Sequence, residues 1–316
     1  MRINIFATLM ILALSFGASA LETDQYMTWE LKLSDSSKPL NDFINEGIEK
    51  KLSEINRKRK KYSCEEMTLK LLKFNKIKFS LLTRIENFVW DSDLFDKYPK
   101  TKNKIGVVNK SIYKDIWLFK VKIFGINLQA NGVYFGIDKL SHFIDVGRSY
   151  YKIYSKQLRK GRSKEYALRK AIRRGIVQEK TYYGVWVSGI FSFADLEANY
   201  QGLEFARTFC EGPNPLLKKV SNRKWELTRK IDIKPFITPG WDESYNINRM
   251  TKRRMKKVRK YLKRYCSKVN GEIISERFDY YRSIEKENFS SKYLEKLIRS
   301  GDLKAPTQTS LSKICF

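Results

Sequence analysis

Three helical segments, each with its own start and stop signals, follow one another between Asp138 and Phe209, and they constrain the fold more than anything else in the chain. Apolar spacing predicts the first over residues 138–158, and Gly161 closes it. Ser163 caps the second, which runs to about Tyr182 with Tyr166, Ala167, Ala171 and Ile172 on its apolar side. Gly184 and Gly189 mark a loop. Ser192 then caps the third, with Asp195 three residues on in the capping-box pattern, and Gly212-Pro213-Asn214-Pro215 ends it.

Further helices are expected over 39–62, where Leu40, Phe43, Ile44, Ile48, Leu52 and Ile55 recur at helical spacing, and over about 65–75, 246–268 and 290–299. Residues 96–110 suggest a loop. Residues 112–136 fit either two short strands or a buried helix followed by a turn. Residues 223–237 alternate like a short hairpin or an extended arm. The expected fold class is mainly α, a helical core with short β-hairpin or extended segments. Its expected divisions are a leader over 1–20, an N-terminal helical region over 21–110, a helical core over 111–245 and a basic helical region over 246–316.

The leader follows from Arg2, the apolar run Ile5–Phe16 and the small-x-small triplet Ala18-Ser19-Ala20. That run is shorter than the ~20 residues a permanent span needs, so cleavage before Leu21 and a periplasmic location, free or peripheral to a membrane, are expected. Four cysteines, Cys64, Cys210, Cys266 and Cys315, match no zinc spacing and suggest two disulfides of undetermined pairing. Hydrophobic content of 42% with 14% aromatic residues excludes a disordered chain. The charge is lopsided: 63 Lys and Arg against 34 Asp and Glu, net +29. Such a chain should associate with polyanions.

Polar residues punctuate the three central helices. Asp138 and His142 stand four apart and so share a face, with Asp145 near the same stripe. Glu179 lies near the end of the second helix, and Asp195, Asn199 and Gly202 follow at i, i+4, i+7 on the third. If the helices pack together, Asp138, His142, Glu179, Asp195 and Asn199 converge in one pocket. An Asp–His pair there could act as an oriented general base; carboxylates with the sole histidine make a weaker metal set. No metal and no cofactor is expected, since Walker, dinucleotide, nucleophile-elbow and zincin motifs are lacking. Against the pocket stands a plainer reading in which Asp138 and Asp195 serve helix starts and Asn199 and Gly202 permit close packing.

The string Asp138-Lys139-x-x-His142-Phe143, then Gln178-Glu179-Lys180, then Asp195-x-x-x-Asn199-x-x-Gly202 resembles VanZ-like proteins and YfiM-type periplasmic lipoproteins in order and rough spacing. The resemblance covers roughly 136–207 and implies an envelope protein of undefined activity. VanZ-like proteins are membrane-embedded, so the YfiM-type group is the nearer comparison.

The last expectation concerns residues 249–264. Arg249, Lys252, Arg253, Arg254, Lys256, Lys257, Arg259 and Lys260 nearly encircle the expected helix, leaving a thin apolar stripe at Met250, Val258 and Tyr261. Anionic membrane surfaces or envelope polymers such as lipopolysaccharide are the expected partners. Nucleic acid is disfavoured by export and by the lack of a base-reading module. The functional expectation is association with anionic envelope components. The alternative is a hydrolase acting on an envelope lipid or glycan through the Asp138–His142 pair.

Overall fold

The computed structural model describes residues 23–58, 60–73, 83–101, 109–115, 125–181, 184–186, 188–303 and 311–315. The expected leader and its cleavage point lie outside them, as do 116–124 within the ambiguous stretch. The fold is mainly helical with three two-stranded antiparallel pairs.

Helix α1 (Ser37–Arg57) forms because Leu40, Ile44, Ile48, Leu52 and Ile55 make one apolar stripe, and all five are buried. α2 (Cys64–Leu71) and α3 (Arg84–Asp91) each start with a capping box, Ser63 with Glu66 and Thr83 with Glu86. The ambiguous stretch resolves into strands. β1 (Asn127–Ala130) and β2 (Val133–Gly136) pair antiparallel in the register Ala130↔Val133. Asn131 and Gly132, both at positive φ, make the two-residue turn that suits the twist of a hairpin.

The first central helix is not uniform. α4 (Asp138–Ser141) passes into a π-helical segment, His142–Val146, and then into α5 (Gly147–Arg159). Such π-bulges recur at functional sites. Gly161, at φ 72°, ends the rod. α6 (Lys164–Lys180) is capped by Ser163 as expected. β3 (Ile190–Phe191) leads into α7 (Phe193–Arg207), whose cap is Ser192 accepting from the Asp195 amide. α7 and α5 touch backbone to backbone: a Cβ on Gly202 would sit 1.9 Å from the Phe143 carbonyl oxygen, and one on Gly147 would sit 2.5 Å from the Gly202 Cα.

The 223–237 stretch begins in a hairpin, β4 (Leu217–Ser221) with β5 (Lys224–Leu227), and continues extended along α1. α1 holds it with asparagines: Asn45 donates to the Ile231 carbonyl and accepts from the Ile231 amide, both at 2.8 Å. The basic helix begins later than expected. Arg249 lies in β6 (Arg249–Met250), paired with β3, and α8 spans only Lys252–Leu262 before a 3-10 turn, Lys263–Lys268. α9 (Glu272–Ile284), α10 (Phe289–Arg299) and α11 (Leu311–Cys315) follow; α3, α9 and α11 are not marked in the sequence, where residues after 299 read as a polar tail.

One hydrophobic cluster runs from Tyr26 and α1 through Phe143, Phe205 and Trp241 to Tyr281 and Ile314. Two disulfides staple it, Cys64–Cys210 and Cys266–Cys315, and no free cysteine remains. Among the described residues no helix is long and apolar enough to cross a membrane.

Candidate functional site: a buried lysine among three carboxylates

Lys139 is fully buried, and its ammonium group is the centre of the polar cluster. It donates to Asp138 Oδ2 and to Glu243 Oε1, each at 2.6 Å, and lies 2.7 Å from Asp195 Oδ1. A lysine has three protons and no acceptor; two hydrogen bonds go to Asp138 and Glu243, and Asp195 faces the same charge as an ion pair. A solitary ammonium at such depth would lose its charge, because burial disfavours the ionised form. Here burial pushes the Lys139 amine down, but Asp138, Asp195 and Glu243 more than offset this and hold it well above the usual lysine range. The Asp195 carboxyl shows the mirror effect: burial pushes it up, yet the neighbouring His142 and Lys139 more than offset this and bring it below its ordinary value.

A second set of contacts anchors the acids. Thr23 donates to Asp138 Oδ1 at 3.1 Å. Ser192 Oγ donates to Glu243 Oε1 at 3.3 Å, and Asn248 donates to Glu243 Oε2 at 2.9 Å. The network therefore joins the residues just before the 3-10 turn Gln25–Thr28, α4, the cap of α7 and the loop after the 3-10 turn Pro239–Trp241.

His142 sits at the edge of this network, 9% exposed, as the first residue of the π segment. Its Nδ1 lies 3.0 Å from Asn199 Oδ1 and its Nε2 3.4 Å from Asp195 Oδ2. Both partners are acceptors, so the ring donates from Nδ1 and, when it carries its second proton, from Nε2 as well. Glu179 is buried behind Ser192, whose amide donates to Glu179 Oε2 at 3.4 Å. The structure thus brings Asp138, His142, Asp195 and Asn199 together, with Glu179 joined through Ser192. Of Asp138 and Asp195, either of which the sequence could place beside His142, it is Asp195 on α7 that lies there, not the Asp138 that the hydrolytic reading pairs with it.

The spacing of the acids is that of a cation site. One oxygen from each of Asp138, Asp195 and Glu243 lies within 4.8 Å of the others. The Lys139 ammonium stands where an ion would, so the chain supplies its own cation. Sequence reasoning singled out neither Lys139 as the centre nor Glu243, Ser192 or Thr23 as members. Glu243 lies in a loop with no periodicity to mark it.

The basic helix is a separate feature. Lys252, Arg253, Lys256, Lys257, Arg259 and Lys260 are exposed on α8, while Val258, Tyr261 and Leu262 face the core. Arg254 is turned inward and donates from Nε to the Ser188 carbonyl. Arg249 lies outside the helix with its guanidinium over the Phe193 ring. Lys260 forms an ion pair with Asp115. No protein family, curated protein or solved structure matches this chain.

Proposed function

We propose that the protein is exported to the cell envelope and associates there with anionic components through α8. The observation that carries this reading is the stripe Lys252, Lys256, Arg259 and Lys263, all exposed at near i+4 spacing opposite the buried Val258, Tyr261 and Leu262. Basic residues held near an anionic surface contribute ~1 kcal/mol each, so four in one line supply about 4 kcal/mol before neighbours are counted. The leader-like residues 1–20 and the resemblance over 136–207 supply the envelope context, and the two disulfides are compatible with an oxidising compartment.

The Lys139 network is read as the scaffold under this surface. The hydrolytic alternative has the Asp195–His142 contact in its favour. It is the weaker reading because the ring is buried and its Nδ1 is committed to Asn199.

The test is elution of the mature protein from immobilised lipopolysaccharide across a salt gradient. Lys252, Lys256, Arg259 and Lys263 changed together to Gln should elute at markedly lower salt with an unchanged melting temperature. Arg254 is left alone because its contact with Ser188 is structural. Retention that ignores salt, or that survives the four changes, overturns the proposal.

A further inference from the structure

We infer that the anionic partner is a lipid bilayer, engaged by Trp186 as well as by α8; this rests on the proposed association with anionic components. Trp186 is 78% exposed. Burial of the other described tryptophans, Trp29, Trp90, Trp225 and Trp241, makes that exposure stand out. A lone exposed apolar residue needs no explanation. Trp186 is different because of what holds it and what surrounds it.

The described residues of the loop are tied by backbone hydrogen bonds. Val185 N donates to the Glu179 carbonyl, Trp186 N to Thr181, Ser188 N to Gly184 and Gly189 N to Val185, at 2.8–3.2 Å. The Trp186 backbone is tied to Thr181 and its neighbours Val185 and Gly189 to Glu179 and each other, so little backbone ordering entropy would be lost there on contact. Val177 is 48% exposed on the last turns of α6, which lead into this loop, one turn after the exposed Arg173 and Arg174. The other side of the loop is bonded to the start of the basic helix. Thr251 N donates to the Gly189 carbonyl at 2.9 Å, and Arg254 Nε donates to Ser188. The exposed Trp186 and Val177 thus lie on segments joined directly to others that carry exposed cations, Arg173 and Arg174 on α6 and Lys252 and Arg253 on α8.

This combination selects among anionic partners. A polyphosphate in water rewards the cations and offers an indole little; a glycan would stack a sugar face on the ring, and heparin binding that falls with Trp186→Ala would reveal that case and overturn the inference. A bilayer rewards both, since tryptophan partitions to the headgroup level with its ring among acyl chains and its N–H among polar groups. Basic residues with an interfacial aromatic are the composition of segments that lie on membranes without crossing them.

The experiment compares the full mature chain, oxidised, with vesicles of phosphatidylcholine, vesicles of equimolar phosphatidylcholine and phosphatidylglycerol, and soluble heparin. The expected result is binding to the mixed vesicles with a blue shift of tryptophan emission, quenched by bromine-labelled acyl chains. Trp186→Ala should weaken vesicle binding roughly tenfold, abolish the shift and leave heparin binding unchanged. If heparin and vesicles bind the Trp186→Ala chain as they bind the wild type, the bilayer inference fails and the polyanion reading stands. If neither heparin nor mixed vesicles bind, both fail. Equal binding to pure phosphatidylcholine also overturns the inference, because charge would then play no part.

Discussion

Replacing Lys139 by Ala exposes the logic of the buried cluster, because it removes the cation and leaves its cage. The three carboxylates, which approach the ammonium at 2.6–2.7 Å, would face one another without a counter-charge. Breaking a buried ion network by removing one partner costs about 3–5 kcal/mol, and the lost alkyl chain leaves a cavity besides. The variant should therefore be destabilised by about 4 kcal/mol or more in urea at neutral pH. The same change creates a metal site. Oxygens within 4.8 Å of one another suit a calcium ion, whose ligands lie at roughly 2.4 Å. Calcium at about one hundred times its dissociation constant would return about 2.7 kcal/mol to the variant. Lys139→Met keeps most of the volume without the charge, so it should be destabilised and gain little from calcium. Wild type should not respond, since its ammonium already fills the place. Urea titrations with calcium and with chelator decide the matter. A Lys139→Ala protein as stable as wild type, or one indifferent to calcium, would refute the reasoning.

Burial, with the Asp138 charge adding to it, pushes the Glu86 carboxyl up to about 7 from its ordinary 4.5, so the native state binds its proton more tightly than the unfolded state. The resulting stabilisation is full below the ordinary value and is lost as pH rises through about 7, a change of about 2.5 kcal/mol between about pH 5 and about pH 8. Glu86→Gln, which can keep the Thr83 cap, should remove that slope when urea midpoints are compared across pH. Gly202→Ala should cost about 2–4 kcal/mol by thermal unfolding, because the new methyl would overlap the Phe143 carbonyl. Thiol labelling of unreduced, denatured protein should find no free cysteine. Removing the Cys64–Cys210 pair should cost more, about 5 kcal/mol, than removing Cys266–Cys315, about 4 kcal/mol, because the first closes a 146-residue separation and the second one of 49. Equal or reversed costs would contradict that loop-entropy account.

Much of the fold was legible where one periodicity governs a long segment. The stripe of α1, the Ser163 and Ser192 caps and the Gly161 terminator all act locally, so local residues suffice to reveal them. Asn131-Gly132 would have resolved the ambiguous stretch as a hairpin, since few sequences favour positive φ at two adjacent positions. α9 escaped because its buried face mixes Ile274 and Tyr281 with an arginine. Arg277 stacks over the Tyr134 ring and donates to the Thr28 and Leu31 carbonyls, partners no local pattern foretells. Lys139 escaped for a similar reason: lysine is almost never fully buried, and neighbours at i, i+1 on a helix do not normally share a partner.

The polar cluster and the glycine contact are one device. Along α7, Asp195, Asn199 and Gly202 form a single stripe, and each meets the π-bulged rod in turn. Asp195 and Asn199 take the two ring nitrogens of His142, and Gly202 lies against Phe143 and Gly147. Only a residue without a Cβ lets the backbones close so far, and only that closeness brings short side chains such as Asp and Asn within 3.0–3.4 Å of the imidazole. A longer residue at 202 would separate the helices and leave buried polar atoms unpaired, at a cost of ~1–3 kcal/mol each. The ordered string from Asp138 to Gly202 can therefore be explained by packing alone. The π segment fits the same account, since it is where the rod lies against the α7 stripe with His142 at its start. Chemistry at His142 would need something further, a path from solvent to a ring that Asp195 and Asn199 now enclose.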